Sequence, residues 1–325
     1  MWVLSNKLRL TTPSQRTACV GFAQRFRSST LAVVLFTLAL LFVGCGVSSA
    51  DHGTPSVQST GGSTSQHLRL VGSTALLPLA ARAGDLFHQQ HPDIQVNVAG
   101  GGSVTGLQAV TNHQADIGDS DIYADPVTYP DPNLTDHIIC VVAFTLIVDP
   151  QITIPSLTSQ QILAIFTGKV TNWKAVGGPD QAITTVIRPN TSGTRALFRK
   201  YILGGAEESG KPLTSDSSTG VLDEVAHTPG AIGYVTTSLL NSTVRAIGID
   251  GVSATEQNIK NGKYKFWGYE HMYTLANGVS PITSFLDFMQ TAEIQHLAQQ
   301  LGYISVNGLE AQASIPSSVK EQNTR

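Results

Sequence analysis

Apolar and polar residues follow two different periods along this chain, and segments with the two periods succeed one another. Alternation with a period of two, typical of strands, occurs at residues 68–71, 94–98 and 183–187. After the first of these segments, apolar residues recur between Leu76 and Phe87 at the spacing of one helix face. Strands that alternate with helices predict an α/β fold with mostly parallel sheets, in which ligands bind at the carboxyl ends of the strands.

The most apolar run after the N-terminal region, residues 138–148, predicts a central strand that continues from one lobe of the fold into another. Asp149 and Pro150 end this run. A strand at residues 230–235 would carry the chain back to the first lobe. The pattern also predicts helices at 157–167, 221–227, 285–289 and 294–301, and strands at 115–118, 244–249 and 272–276.

The N-terminal region has the three parts of a secretory signal. Five basic residues and no acidic residue precede the apolar segment 31–43, which is followed by Gly44 and Cys45. That segment is shorter than the ~20 residues of a membrane-spanning helix. Residues 41–45 resemble a bacterial lipobox, so we expect residues 1–45 to be a signal peptide with a lipidated Cys45. The alternative is an uncleaved single-span anchor, and both outcomes export and tether the rest of the chain.

Composition separates the folded part from its flanks. Residues 46–67 are mostly Ser, Thr and Gly and predict a flexible linker, and residues 312–325 predict a loose tail. The chain has 20 Lys and Arg against 23 Asp and Glu, and five basic residues leave with the signal, so the mature net charge is about −8. Such an acidic chain is a poor nucleic-acid binder. Of the three cysteines, only Cys140 remains in the folded part, which excludes a disulfide framework or a cysteine metal site.

Short polar turns follow three predicted strands and directly precede helices. They are Gly72-Ser73-Thr74, residues 100–103 and Ser192-Gly193-Thr194. A helix N-terminus offers unpaired N–H groups and a partial positive charge, which suits an anion. Arg188 lies just before the third turn and would add a forked cationic donor. A further strand, ending in Asp-Ser-Asp at 119–121, predicts another strand-to-helix junction. Each turn alone fits a simple helix cap, but their shared context indicates an oxyanion site.

These motifs resemble, in the same order, those of the PstS family, the phosphate-binding proteins of ABC phosphate importers. The resemblance covers most of residues 68–309. It is carried by five segments: 71–75, 99–103, 115–118 with Ser120-Asp121, 165–173 and 188–195. The resemblance implies an α/β, two-lobed periplasmic-binding-protein fold of type II, whose two-segment hinge lets the lobes close on a ligand.

The resemblance also implies lobe limits and a ligand site. Lobe one would comprise residues 68–147 and 236–311, and lobe two residues 148–235, with crossings near 144–148 and 234–236. The implied ligand-binding residues are almost all hydrogen-bond donors: Ser73, Thr74, Gly102, Ser103, Ser120, Arg188, Asn190, Ser192, Gly193 and Thr194. Asp121 would be the acceptor among them. Because phosphate near neutral pH keeps a proton and sulfate has none, a buried Asp121 would select phosphate.

Three residues depart from the family pattern. Asn190 stands where many relatives carry Asp beside the arginine, which leaves the orientation of Arg188 open. Asp119 places a second carboxylate beside Ser120, where it either points outward or weakens binding. Val104 follows the second turn where glycine is common, which restricts that loop.

We therefore expect an extracytoplasmic lipoprotein, anchored to the cell membrane through Cys45, that captures inorganic phosphate for the permease subunits of an ABC importer. We expect a monomer without a cofactor, a bound metal or a nucleic-acid partner. We also expect no enzymatic activity, since the chain has no Gly-x-Ser-x-Gly elbow and no P-loop. The alternatives are a binding protein for sulfate, molybdate or another oxyanion, and a surface phosphate sensor or adhesin. A metal-binding role would rest on His88 and His91, but their place at the C-terminal end of the first helix, where histidines interact favourably with the helix dipole, explains them without a metal.

Overall fold

A computed structural model describes residues 66–275 and 280–306 of the chain. The strands in these ranges are β1 (Gln66–Gly72), β2 (Ile94–Gly100), β3 (Ile117–Ser120), β4 (Leu134–Val148), β5 (Ser156–Leu157), β6 (Thr184–Ile187), β7 (Leu213–Thr214), β8 (Ala231–Thr236), β9 (Arg245–Ile249) and β10 (Trp267–Leu275). The helices are α1 (Leu77–Gln90), α2 (Ser103–Thr111), α3 (Ser159–Phe166), α4 (Gly193–Tyr201), α5 (Ser218–His227), α6 (Glu256–Lys260), α7 (Ile282–Met289) and α8 (Ala292–Gln300). The signal peptide, the linker up to residue 65 and the C-terminal tail lie outside the described residues. None of the helices in the described ranges has the length and hydropathy needed to cross a lipid bilayer.

The longest strand, β4, belongs to two parts of one sheet. Residues 134–143 pair antiparallel with β10, and residues 144–148 pair antiparallel with β8. The strand order is β2-β1-β3-β10-β4-β8-β6-β7. Residues 139–148 are all buried, which explains why this segment is a continuous apolar run and not an alternating one.

The sheet is mixed, whereas the sequence predicts mostly parallel pairing. β1 is parallel to β2 and β3, and β6 is parallel to β7 and β8. The two central strands, β10 and β4, are antiparallel to their neighbours. The prediction fails at these strands because hydrophobic periodicity reports the faces of a strand and not its direction.

The predicted helix directly after β3 is wrong. Residues 121–133 form turns and extended segments that lead into β4. Pro126, Pro130 and Pro132 interrupt this stretch, and each lacks the N–H that a helix interior requires. The segment after β3 therefore differs from the other polar turns, because Asp121 follows a strand without beginning a helix.

The predicted lobe limits remain a proposal. Phe144 of β4 lies opposite Thr236 of β8, at the point where β4 changes partner, which supports the two predicted crossings. β9 pairs with the end of β4 and is parallel to β5, which favours placing residues 245–249 in the second lobe and not in the first. A third segment lies beside the crossing, since the Tyr264 hydroxyl donates to the Phe144 carbonyl at 2.7 Å.

An aromatic cluster fixes α4 against the strands behind it. Phe198 of α4 stacks on Tyr234 of β8 with ring centroids 4.2 Å apart, and contacts Phe166 of α3 edge-on at 4.8 Å. Phe198 and Tyr234 are almost completely buried. Packed aromatic rings of this kind are rigid, so they determine where the N-terminus of α4 lies relative to the sheet.

Candidate functional site

The turns that begin α2 and α4 approach each other closely. The N–H of Val104 donates to the Thr191 carbonyl at 3.0 Å, and the N–H of Gly102 donates to the Gly72 carbonyl at 2.8 Å. Gly102 has a φ of +90°, and a Cβ at this position would lie 2.5 Å from the Thr191 carbonyl oxygen. Glycine alone permits this backbone contact, so the Gly-rich turn predicted from the sequence has a steric reason.

Gly193 brings the first turn of α4 against side chains of the other turns. A Cβ at Gly193 would lie 2.2 Å from Ser103 Oγ and 3.0 Å from Asp121 Cβ. Ser192 is the N-cap of α4, and its hydroxyl accepts the N–H of Arg195 at 3.2 Å. The positive end of α4 therefore lies beside Ser103 and Asp121.

Asp121 is the centre of this cluster. Its side chain is 3% exposed, and its two carboxylate oxygens accept hydrogen bonds from the hydroxyls of Ser73 and Thr194, the latter at 2.6 Å. Its backbone N–H donates to Ser103 Oγ at 2.9 Å. Asp121 thus joins the turn after β1, the start of α2 and the start of α4. The expectation of a buried acceptor surrounded by donors agrees with this arrangement.

Arg188 is buried beside the same cluster. It is 2% exposed, and its Nη2 donates to Thr74 Oγ1 at 3.0 Å and to the Asp216 carbonyl at 3.1 Å. Its Nε donates to the Ser215 carbonyl at 3.0 Å. Burial lowers the pKa of the guanidinium, and the nearby Asp121 carboxylate acts in the opposite direction. The forked side chain is held in one orientation, as an anion-binding group requires.

The sequence prediction missed Ser218, which contributes to the site from α5. Its hydroxyl accepts from Arg188 Nη1 at 3.2 Å and lies 2.9 Å from Thr74 Oγ1, and its N–H donates to Thr74 Oγ1 at 3.2 Å. The predicted helix begins at Val221, the first apolar position, but α5 begins at Ser218 with Ser217 as its N-cap. The polar residues before the apolar face, with a capping serine first, were the signal that could have extended the helix.

Two predicted ligand residues lie apart from the cluster. The Ser120 hydroxyl is buried, but it bonds within its own turn, donating to the Ile122 carbonyl at 2.7 Å. Asn190 is exposed, and its Oδ1 accepts from Arg195 Nη1 at 2.7 Å. Arg195 is also paired with Glu208 at 3.0 Å. In the structure, Asn190 therefore contacts Arg195 and not Arg188, so the residue that departs from the family pattern acts on Arg195.

Asp119 points into the protein. It is 1% exposed, and among the described residues neither of its carboxyl oxygens has a hydrogen-bond partner. Burial raises its pKa well above the ordinary value, and the negative charge of Asp121 adds to the effect. Its carbonyl accepts the N–H of Ser73 at 2.9 Å. The structure excludes the first of the two outcomes expected for this residue, an outward orientation.

Taken together, the cluster is a set of neutral donors and one guanidinium around one carboxylate. Hydroxyls and helix-end amides bind oxyanions without adding charge, and a guanidinium neutralises part of the anion's charge. The carboxylate can accept a hydrogen bond from a protonated oxygen of the same ligand. This chemistry suits a small oxyanion that still carries a proton.

Comparison with known proteins identifies the family. The model of the PBP superfamily domain matches residues 57–293. The phosphate-binding protein PstS of Bacillus subtilis (strain 168) is 37% identical over 283 residues, which cover 86% of this chain and 94% of that protein. The chain belongs to the PstS family. The family predicted from the order of the polar turns is therefore confirmed.

Solved structures with the two-lobed periplasmic-binding-protein fold support the PstS assignment. A putative phosphate ABC transporter substrate-binding protein from Clostridium perfringens, solved with bound phosphate, is 28% identical with a TM-score of 0.70, and the match covers 74% of this chain and 100% of that one. An ABC-type phosphate transport receptor from Vibrio cholerae is 26% identical with a TM-score of 0.61, covering 73% and 99%. The predicted two-lobed α/β fold is thus confirmed.

Proposed function

We propose that this chain captures inorganic phosphate outside the cytoplasmic membrane and delivers it to the permease of an ABC importer. The observation that carries the proposal is the position of Asp121, a buried carboxylate between hydroxyl donors on the turn after β1 and at the start of α4. The names of its relatives support the ligand, since the Bacillus subtilis protein is a phosphate-binding protein and the Clostridium perfringens structure contains phosphate.

Asp121 selects phosphate by its charge. Phosphate near neutral pH keeps at least one proton, which it donates to the carboxylate. Sulfate has no proton to donate, so its oxygens would meet the Asp121 oxygens with repulsion alone. The neutral hydroxyls and the helix-end amides hold the other oxygens of either anion, so they add affinity and little discrimination.

Arg188 supplies the cation. A guanidinium has five N–H donors. Four of them are used by Thr74, Ser215, Asp216 and Ser218, which hold the side chain in place. The remaining N–H on Nη1 donates to a phosphate oxygen, and the bond to Thr74 exchanges for a second one.

The two lobes close on the ligand through the residues that surround Asp121. In the proposed lobe assignment, Thr194 and Arg188 belong to lobe two, whereas Ser73, Thr74 and Asp121 belong to lobe one. The bonds from Thr194 to Asp121 and from Arg188 to Thr74 therefore cross the cleft. Phosphate accepts from the same donors, and its binding energy favours the closed state over the open one.

Binding without catalysis fits the cluster best. Among the described residues, the cluster hydroxyls that bond Asp121 belong to Ser73 and Thr194, and none bonds a histidine, so the Ser–His pair of a serine hydrolase is not formed there. The metal alternative has little support, because the described residues include no group of three His, Cys, Asp or Glu placed to hold a metal ion. Another oxyanion remains the second candidate ligand, since the neutral donors can donate hydrogen bonds to the oxygens of any tetrahedral anion.

We place the protein on the outer face of the cell membrane, held by lipid on Cys45, and as a monomer. The support is the N-terminal sequence, in which a basic region, an apolar segment and a lipobox-like motif precede a Ser/Thr/Gly-rich linker. A flexible linker of this length lets the binding domain reach a permease while it remains tethered.

Isothermal titration calorimetry on the chain from residue 46 onward tests the ligand. Phosphate should give saturable heat with one site and a micromolar or lower Kd, and sulfate at the same ionic strength should bind at least about 100-fold more weakly. Heat with sulfate or molybdate and none with phosphate would contradict the assignment.

A further inference from the structure

Two more acidic side chains lie buried behind Asp121. They are Asp119 on β3, which is 1% exposed, and Glu270 on β10, which is 0% exposed. Glu270 lies opposite Cys140 of β4, next to an irregularity in the pairing of β10 with β4. The proposed phosphate site uses neither side chain. Three carboxyl groups therefore share one buried region, and the guanidinium that the described residues place beside Asp121 is that of Arg188.

The Glu270 carboxyl faces one hydroxyl, that of Ser73, whose proton is donated to Asp121, and one carboxylate, that of Asp121. It lies within reach of the Ser73 hydroxyl and the Asp121 carboxylate, yet neither of its oxygens makes a hydrogen bond of good geometry with a described residue. The Ser73 hydroxyl donates its one proton to Asp121, and it accepts the N–H groups of Ala75 at 3.0 Å and Leu76 at 3.1 Å. A hydroxyl has one proton and two lone pairs, so Ser73 is saturated.

Asp121 remains as the partner, and it is an acceptor. Its oxygens accept one hydrogen bond each from Ser73 and Thr194, which leaves lone pairs on both. Two ionised carboxylates in contact repel each other, whereas a protonated carboxyl next to a carboxylate makes a charge-assisted hydrogen bond. With Asp121 ionised, Glu270 can therefore bond it in one way, by donating its own proton.

The other titratable groups around Glu270 give an ionised form no support. Asp119 faces it from β3 and Cys140 from β4, and Tyr303 faces it from the segment after α8. The Tyr303 hydroxyl donates to the Ala75 carbonyl at 2.5 Å. His271, the next residue on β10, has its Nδ1 bonded to Asp136 at 2.8 Å. An ionised Glu270 would be a buried charge with no cation beside it in the described part of the chain, which is costly.

Burial and the neighbouring acidic groups both raise the pKa of Glu270. Burial raises the pKa of Glu270 well above its ordinary value, and the negative charges of Asp121 and Asp119 raise it further. Burial and Glu270 together raise the pKa of the Cys140 thiol as well, so this thiol stays protonated and neutral. With Glu270 and Asp119 neutral, the only carboxylate charge left among these three groups would be that of Asp121, beside the guanidinium of Arg188.

Resting on the proposed role of Asp121 in binding phosphate, we propose that Glu270 is a positioning residue that carries a proton at neutral pH and donates it to the Asp121 carboxylate. The bond fixes the orientation of Asp121 towards the protonated oxygen of the ligand. It also keeps the second carboxyl neutral, so that an incoming anion meets one carboxylate and not two. Burial raises the pKa of Asp119 as well, but no hydrogen bond joins its carboxyl to Asp121.

The proposal makes phosphate binding sensitive to alkaline pH. As pH rises towards the raised pKa of Glu270, the proton leaves, the donor to Asp121 is lost and a second negative charge appears beside the ligand. Glutamine at position 270 keeps the size and a neutral N–H donor and does not titrate. Methionine keeps the volume and removes the donor.

Infrared difference spectroscopy on the full chain without phosphate tests the protonation itself. At pH 7 the spectrum of the wild type minus Glu270→Gln should show one protonated-carboxyl C=O band. The matched control Asp180→Asn changes an exposed acid that pairs with Lys174, and its difference spectrum should lack that band. Absence of a protonated-carboxyl band in the Glu270→Gln difference would overturn the proposal, whether or not the protein binds phosphate.

Calorimetric phosphate titrations between pH 6 and pH 9 test the positioning role. At pH 7, Glu270→Gln should bind within about threefold of the wild type, whereas Glu270→Met should lose about tenfold or more, the contribution of one charge-assisted hydrogen bond. Towards alkaline pH, as the proton leaves Glu270, the wild type should lose affinity relative to Glu270→Gln. Phosphate's own ionisation affects all three proteins equally and cancels in the ratios. Equal affinities for the Gln and Met variants, or parallel pH profiles for the wild type and Gln variant, would reject the role.

Discussion

Replacing Asp121 with asparagine keeps the shape of the side chain and changes its chemistry from a charged acceptor to a neutral group that both accepts and donates. In the structure both Asp121 oxygens accept hydroxyl hydrogen bonds, from Ser73 and Thr194. The asparagine Oδ1 can keep one of these bonds, and the hydroxyl facing Nδ2 can rotate and accept. We therefore expect the variant to fold, with its principal effect on the ligand.

The size of the effect follows from the groups that face Asp121. Phosphate loses a hydrogen bond to a charged acceptor, which contributes about 1.5–3 kcal/mol, so its affinity should fall about 10- to 150-fold. Sulfate loses a repulsive neighbour and gains an N–H donor, so its affinity should rise by about tenfold or more. The preference for phosphate over sulfate should therefore fall by about 100-fold or more.

Paired calorimetric titrations with phosphate and sulfate at fixed ionic strength measure this preference. Asp180→Asn makes the same charge change at a side chain that is 68% exposed, and it should leave the preference unchanged. If Asp121→Asn folds and discriminates against sulfate as strongly as the wild type does, the reasoning that assigns selectivity to Asp121 is refuted.

Four further changes test separate parts of the account. Gly193→Ala places a Cβ 2.2 Å from Ser103 Oγ, so it should cost about 1–3 kcal/mol of stability and weaken phosphate binding by about tenfold, measured by urea unfolding and calorimetry; wild-type behaviour would contradict the close approach. Ser120→Ala should bind phosphate within about threefold of the wild type, because the hydroxyl bonds within its own turn; a tenfold loss would return it to the site. For Asp119→Asn, urea unfolding should show a stability gain over the wild type that grows above pH 4. Above pH 4 the unfolded chain releases the Asp119 proton, with a pKa near 3.8, whereas the folded wild type keeps it because its pKa is raised. Folding must therefore take up a proton, which costs at most about 1.4 kcal/mol per pH unit; a gain independent of pH would contradict this. Cys45→Ser should move the protein from the membrane fraction to the medium, and retention in the membrane would favour an uncleaved anchor over lipidation.

Local sequence was sufficient for those parts of the site that are built from one turn. The turns at Ser73, Ser103 and Ser192 were predicted because a strand, a small polar turn and a helix follow each other within a few residues. Their convergence was also predictable, because parallel strands place their carboxyl ends at one edge of a sheet. Burial of Asp121 followed from the family resemblance and agrees with its 3% exposure.

Long-range pairing was beyond local sequence, and the misses share this cause. Glu270 was not singled out, because its strand was predicted to start at residue 272, and the pairing of β10 with β3 and β4 brings it behind Asp121. Asp119 faces inward for the same reason, since register and not composition decides which face a strand residue occupies. Asn190, which lies before the N-cap of α4, pairs with Arg195 in the first turn of that helix, a contact that spacing alone does not distinguish from one with Arg188.

A crystal structure of the chain grown with phosphate at neutral pH tests the central claim most directly. The account predicts phosphate at the start of α4, with one oxygen within hydrogen-bond distance of an Asp121 carboxylate oxygen and another bonded by Arg188. Phosphate bound away from Asp121, or bound at α4 with Asp121 turned away from every phosphate oxygen, would contradict it.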